Sequence, residues 1–284
     1  MKTNMKIQTN SRSASIWLWL SIVAVLLAIA GNMIALSVTA IYAPLTPAFL
    51  PQALAQDIAN LAVVAPAWII LAALALRGSL RAYLVWLGVL TFTVYNYVIY
   101  TFSIPFGSLF LVWVAVFGLS LYALIGGLAS SDHEAIRSSF KSPGAVTFAS
   151  WVLIVVAILF ALLWLSEDVP ALLSGSSPQS VVDMAIPTNP VHILDLGFFL
   201  PAVMITALMV LKKRPLGYTL APALIAFLIL TGVPILITPV VQAVRGETAA
   251  WGVVLPIGML TLLLLGLLAW LLSTIESDSP KESK

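Results

Sequence analysis

Long apolar runs separated by short polar stretches make up most of this chain. A helix that crosses a bilayer needs about 20 mainly apolar residues. Eight runs reach that length, so the pattern predicts an all-α polytopic bundle of eight transmembrane segments. These segments cover residues 16–42, 58–76, 81–102, 108–128, 146–165, 191–211, 217–242 and 251–273.

The composition leads to the same class. Of the 284 residues, 61% are hydrophobic and 8% are charged, whereas soluble domains have roughly 45–50% apolar and about 25% charged residues. So few polar groups cannot cover a globular surface, which argues against a soluble enzyme, a nucleic-acid binder or a disordered protein. The expected partner is the lipid bilayer, with no nucleic acid. No cysteine is present, so disulfides and thiolate chemistry are excluded.

The charged residues predict how the segments are oriented. Twelve of the thirteen lysines and arginines lie in the termini and in the connections that follow segments 2, 4 and 6. The remaining connections contain one basic residue, Arg245, together with several acids. The positive-inside rule therefore predicts that both termini are cytoplasmic, in the inner or plasma membrane of a cell. This orientation requires an even number of spans, in agreement with the count of eight.

Segment 1 has two interpretations, because basic residues precede it as they precede a signal peptide. Its apolar run from Ile16 to Leu36 exceeds the 7–15 residues of a signal core, which favours a retained anchor helix.

The limits of the eight segments give the predicted organisation of the chain. It comprises an N-terminal segment 1–15, a first four-helix half 16–128, a cytoplasmic connector 129–145, a second half 146–273 and a cytoplasmic tail 274–284.

The two halves resemble each other at a shift of 135 residues. Residues 57–92 align without gaps on 192–227 with nine identities, including a Pro-Ala pair inside the segment and a tyrosine after a basic turn. Since each half has four segments and starts in the cytoplasm, this similarity predicts a 4+4 parallel internal repeat, an arrangement found in transporters. Chance similarity between two apolar hairpins is the alternative.

The alignment brings two polar pairs into register. Asp57 and Asn60 correspond to His192 and Asp195, and each pair has i, i+3 spacing on one helix face. If the halves pack about a twofold axis, the pairs face each other across a cleft in the outer leaflet. The alternative for Asp57 and Asn60 is helix capping, and for Asp195 a place in the first turn of a helix.

Polar side chains in hydrocarbon are costly and usually face the bundle interior. Seven of them lie at similar depth and are predicted to form a pocket that binds a ligand or a proton, with His192 and Asp195 as its proton-exchanging pair. No metal or cofactor is expected, because this pair supplies too few ligands. The candidate residues are Asn32, Asp57, Asn60, Asn96, Tyr100, His192 and Asp195.

Three functional hypotheses follow. The first is an integral membrane protein that binds, and moves, a small solute or proton through this outer-leaflet cleft. The second is a non-catalytic subunit or sensor that acts through a membrane protein partner or a second copy of itself. The third is an intramembrane enzyme that acts on a lipid-linked substrate, with His192 as general base. No hydrolase, nucleotide-binding or metalloprotease motif is present, so an enzyme is the weaker prediction and no catalytic residue is assigned.

Overall fold

The structure is a computed structural model that describes residues 11–276. Within this range the chain is all-helical, and eight of its helices are long and apolar enough to cross a membrane. The predicted terminal segments 1–15 and 274–284 lie largely outside the described residues. The spans are α1 Ser15–Ser37, α2 Leu50–Leu76, α3 Leu80–Ser103, α4 Phe110–Ala129, α5 Pro143–Ser174, α6 Pro190–Leu211, α7 Pro215–Val244 and α8 Trp251–Ser273.

Two spans extend well beyond their predicted limits. Helix α2 begins at Leu50 rather than 58, because Pro51 in the first turn is followed by good helix formers. Helix α5 continues to Ser174 rather than 165 and ends at Gly175, which adopts a left-handed conformation with φ of 66°. Pro170 lies inside this helix. The predicted connection 166–190 is therefore shorter, and it contains a short helix, Gln179–Met184.

Helices α3 and α7 pack against each other at the centre of the bundle. A Cβ atom placed on Gly88 would lie 2.4 Å from the carbonyl oxygen of Ala223, so the absence of a side chain allows this close contact. Around α3 lie α2 and α4, with α1 packed on α2 and α4. Around α7 lie α6 and α8, and α5 packs mainly on α6.

The connections that carry Arg81, Lys141 and their basic neighbours lie together at one end of the bundle, called here the basic end. The Arg81 guanidinium donates a hydrogen bond of 2.6 Å to the carbonyl of Ile275, and Lys141 forms a 2.8 Å ion pair with Glu276. The connector between α4 and α5 contains a short helix, His133–Ser139, which packs on α7. The opposite end is called the cavity end.

Corresponding parts of the two halves have the same helix limits at the shift of 135 residues. A π-helical turn interrupts α2 at Asn60–Val64 and α6 at Asp195–Phe199. After it, regular helix runs over Ala65–Leu76 in α2 and Leu200–Leu211 in α6. π-Helical turns are rare in proteins, and those that do occur often lie at functional sites. Gly88 and Ala223, which meet where α3 crosses α7, are separated by the same 135 positions.

Candidate functional site

A cavity of about 400 Å³ lies at the cavity end, between α2 and α3 on one side and α5, α6 and α7 on the other. Its size falls in the range of small-molecule sites, about 300–1,000 Å³. Most of its lining is apolar or aromatic, and a few polar groups converge on it. The polar and charged lining residues are Gln52, Gln56, Asn96, Glu167, Ser180, Asn189, His192, Asp195, Thr231 and Thr238.

His192 lies in the first turn of α6, where Asn189 caps the helix by accepting a 3.0 Å hydrogen bond from the amide of Val191. The imidazole is 5% exposed. Its Nδ1 is 2.9 Å from Oδ1 of Asp168, and its Nε2 is 3.7 Å from Oε2 of Glu167. Asp168 therefore orients the ring at Nδ1, and Glu167 lies within ion-pair distance of Nε2.

Trp164 joins the two ionisable groups of this wall. Its indole ring stacks on the imidazole of His192 with centroids 4.6 Å apart. Its Nε1 donates a 2.8 Å hydrogen bond to Oδ2 of Asp195, and Tyr95 of α3 also interacts with that carboxylate. Asp195 begins the π-helical turn of α6. The contact with Tyr95 links the second half of the chain to the first.

In the structure, His192 and Asp195 bond to different partners and not to each other. Asp168 orients the imidazole, and Trp164 holds Asp195. The sequence analysis missed both partners, because it ended the fifth segment at residue 165 and singled out neither side chain. The available signal was the apolar run that resumes after Asp168 with Val169, Ala171 and Leu172, which is typical of a continuing helix.

A second acidic group lies behind the cavity wall. Asp57 has no exposed surface. Tyr42 donates a 2.7 Å hydrogen bond to its Oδ2, and Tyr100 donates a 2.6 Å hydrogen bond to its Oδ1. Burial and the adjacent Asp57 carboxylate raise the pKa of Tyr42 above its ordinary range, so this phenol stays protonated and remains a donor. The sequence did not single out Tyr42, which lies in the connection after α1.

An amide network continues from Asp57 towards α1. Asn60 donates to Oδ1 of Asn32 at 3.2 Å, and its own Oδ1 accepts from Asn96 at 3.3 Å and from Gln56 at 3.1 Å. Asn32 in turn donates to the hydroxyl of Tyr97 at 3.3 Å. All three asparagines are buried. Each of the three asparagines therefore has a partner on a neighbouring helix, as membrane-embedded amides require.

The proposed capping role of Asp57 and Asn60 is wrong, because α2 begins at Leu50 and both residues lie well inside it. The structure divides the seven predicted pocket residues into two groups. Four line the cavity and three lie behind its wall. Those in the lining are Asn96, Tyr100, His192 and Asp195, and those behind it are Asn32, Asp57 and Asn60.

The charge of the cavity is one-sided. Glu167 and Asp195 belong to the lining, and the lining contains no lysine or arginine. Arg245, at the cavity end, is occupied by a 2.6 Å ion pair with Glu247. Among residues 11–276, no group of three or more histidine, aspartate or glutamate side chains is arranged to hold a metal ion.

The chain was compared with known protein families, curated proteins and solved structures, and no match was found in any of the three.

Proposed function

We propose that this integral membrane protein binds a small organic solute in the cavity between its halves and carries it across the membrane, linked to proton exchange at His192. The supporting observation is a cavity of about 400 Å³ whose wall includes an imidazole held between two carboxylates. A largely apolar pocket with a few converging polar groups is the usual form of a ligand site. Imidazole changes its charge between pH 5 and 8 and so suits proton exchange.

The proposal includes the parallel 4+4 repeat. It is supported by the π-helical turns at Asn60–Val64 and Asp195–Phe199, by the matching helix limits that follow them, and by the contact of Gly88 with Ala223. A twofold axis brings corresponding residues of two units together, and the central contact has this property. In repeat-built transporters the substrate lies between the repeats, and this cavity lies between helices α2 and α3 of the first part of the chain and α5, α6 and α7 of the second.

The proposed orientation places the basic end, and with it both termini, in the cytoplasm of a cell membrane. The distribution of lysine and arginine supports this orientation. The cavity end then faces outward, and Glu167, Asp168 and His192 lie near the outer surface.

Thermal unfolding in detergent tests the solute site. The wild type is heated between pH 5 and pH 8 with a panel of ions and small metabolites, beside His192→Ala and Asp195→Asn. The control is His133→Ala, which removes the chain's other histidine at the basic end. A ligand that binds the folded state raises its melting temperature. We expect a ligand-dependent rise that is lost in the two cavity variants and kept in the control.

Two results would contradict the proposal. One is a panel without any stabilising compound, and the other is a stabilisation that His192→Ala and Asp195→Asn retain. Either result would favour the subunit or sensor hypothesis, and the next step would be to identify proteins that copurify. A positive result leads to uptake measurements in vesicles, where movement of the solute and a change in internal pH are followed together.

The pair of His192 and Asp168 supports a second candidate, an intramembrane enzyme with His192 as general base. A carboxylate on one imidazole nitrogen orients the ring for proton transfer at the other. A small void of about 40 Å³ extends from Asp195 towards α8 and is lined mostly by apolar side chains. In an enzyme, His192→Ala abolishes turnover while the substrate still binds. In a carrier, the same variant loses ligand-dependent stabilisation.

A further inference from the structure

We propose that the ligand of this cavity is an organic cation with an apolar body, such as an amine or a quaternary ammonium. This inference rests on the proposed solute site and adds the chemical class of the solute. It is drawn from the charges, the free acceptor positions and the aromatic groups of the wall.

The first argument concerns charge. Glu167 and Asp195 line the cavity and Asp168 stands behind the imidazole of His192. Three carboxylates thus face a single imidazole. When all three are ionised, a protonated His192 still leaves the wall with an excess of negative charge. Glu167 and Asp168 are partly exposed, but charges beside a low-dielectric wall are screened less than in bulk water, so this wall attracts cations and repels anions.

The second argument concerns hydrogen-bond capacity. Glu167 accepts from Ser180, whose amide donates a 2.9 Å bond to Oε1 and whose side chain also donates, and the Glu167 side chain remains 32% exposed. Asp195 accepts the indole N–H of Trp164 at Oδ2 and the hydroxyl of Tyr95. An ionised carboxylate offers about four lone-pair positions. Both acids therefore retain acceptor positions for a charged N–H donor or for the close approach of a quaternary cation.

The third argument concerns the aromatic wall. Five aromatic side chains line the cavity from both halves of the chain, beside aliphatic residues such as Ile99 and Ile235. A cation over an aromatic ring is attracted by the negative face of the ring, and the aliphatic residues suit an apolar body. A small inorganic cation would use neither feature. The aromatic residues of the lining are Phe49, Tyr95, Tyr100, Phe160 and Trp164.

The test compares three probes with the same benzyl group: benzyltriethylammonium, benzyl alcohol and benzylsulfonate. They are cationic, neutral and anionic. Binding to the full-length protein in lipid nanodiscs is measured by equilibrium dialysis, with empty nanodiscs subtracted. We expect saturable binding of the cation, at least tenfold tighter than that of the alcohol, and none of the sulfonate. A tenfold difference in affinity corresponds to about 1.4 kcal/mol.

Charge-removing variants locate the site. Asp195→Asn and Glu167→Gln keep the side-chain size and are each expected to weaken binding of the cation by about tenfold. The control, Glu247→Gln, removes an acid at the same end that is paired with Arg245 outside the cavity lining, and is expected to bind like the wild type. Gel filtration establishes that each variant is folded, and the second acid serves if one variant is not.

The possible outcomes separate this inference from the proposed function. Equal or tighter binding of the alcohol or the sulfonate overturns the cationic class, and solute binding in the cavity survives. Cation binding that Asp195→Asn and Glu167→Gln do not weaken also overturns the inference, because the acids then contribute nothing. Absence of saturable binding by all three probes overturns it as well, and the metabolite panel then decides independently whether the cavity binds a solute.

Discussion

The two π-helical turns of this protein occupy corresponding positions in the chain but have different surroundings. In α2 the turn begins at Asn60, three residues after Asp57, and both side chains are buried among hydrogen-bond partners. In α6 it begins at Asp195, three residues after His192, and both side chains line the cavity. The backbone irregularity is shared, whereas the polar groups are closed off in one half and accessible in the other.

This difference separates two uses of polar groups in a membrane. Asp57 has both carboxylate oxygens bonded to tyrosine hydroxyls and has no exposed surface, so it joins α2 to α3 and to the connection after α1. Asp195 also accepts two side-chain bonds, from Trp164 and Tyr95, but it borders the open cavity, as Glu167 does. A polar group enclosed with its partners contributes to stability, because removing it leaves those partners unpaired in a buried site. A polar group beside a cavity can also reach a ligand.

The largest effect is expected at the buried site of Asp57. Asp57→Ala leaves the hydroxyls of Tyr42 and Tyr100 without their acceptor in a buried site. We expect the free energy of unfolding to fall by about 2–4 kcal/mol, since each buried hydroxyl left unpaired costs roughly 1–3 kcal/mol. Asp195→Ala is expected to cost less than about 1 kcal/mol, because its donors Trp164 and Tyr95 line the cavity and can bond to water there.

Both variants are unfolded by titration with a denaturing detergent and followed by circular dichroism. Asp57→Asn serves as the size-matched control, because its amide keeps one acceptor for the two hydroxyls, and an intermediate loss is expected. Equal losses for Asp57→Ala and Asp195→Ala would show that the two carboxylates do not differ in role.

A smaller effect is expected when the first residues of the two π-helical turns are exchanged, with Asn60→Asp in α2 and Asp195→Asn in α6. Asn60→Asp removes the donor to Asn32 and places a second carboxylate three residues from Asp57 in a buried site. The expected cost is about 1–3 kcal/mol at neutral pH. Because protonation of the new carboxyl removes its charge and returns a donor, the loss should shrink as the pH is lowered.

The partner in this exchange is Asp195→Asn, which removes a charge where Asn60→Asp adds one. Its free energy of unfolding is expected to stay within about 1 kcal/mol of the wild type across the same pH range. The free energies of both variants are measured between pH 5 and 8. A cost for Asn60→Asp that stays constant over this range would contradict the proposed electrostatic cause.

The number and order of the spans could be predicted because apolar length alone determines them. The limits of α2 and α5 could not. Residues 50–57 contain alanine and glutamine, whose modest hydropathy resembles that of a connection, and Pro170 in α5 is typical of a loop. Both stretches are helical because their polar side chains face the cavity or its wall, as Gln56 and Glu167 do. A hydropathy profile does not predict contacts of this kind, because it reports only the composition along the chain.

The sequence indicated which residues belong to the candidate site, but it did not indicate which contacts these residues make. The shift of 135 residues identified Asp57, Asn60, His192 and Asp195 as special positions, and all four lie in or beside a π-helical turn. The alignment could not reveal that Tyr42 closes one side or that Asp168 holds the imidazole on the other. These contacts join distant parts of the chain, and neither residue has a matching residue at the shift of 135 positions.

The smallest expected effect compares the chain's two histidines. His133, at the basic end, is half-buried, and its Nδ1 lies 2.8 Å from the hydroxyl of Thr219. Burial disfavours the imidazolium and lowers the pKa of His133 below its ordinary value, although the charge of Asp132 opposes the shift. The folded state therefore binds its proton less readily than the unfolded state, whose histidine titrates near about 6.5.

The sign of the pH dependence follows from this shift. The stability that neutral His133 contributes is complete above the pKa of the unfolded state and is lost as the pH falls through the lower pKa of the folded state. His133→Gln removes this titration, so its unfolding free energy should decline less than that of the wild type below about pH 6.5. The difference should be under about 1 kcal/mol, because solvent screens a half-exposed ring. Parallel curves for variant and wild type between pH 7 and 5 would contradict this assignment.

His192→Gln is the matching variant at the cavity end, where two carboxylates lie beside the ring. Its main expected loss is the pH dependence of ligand binding, so the two histidines should separate a pH effect on folding from one on the solute.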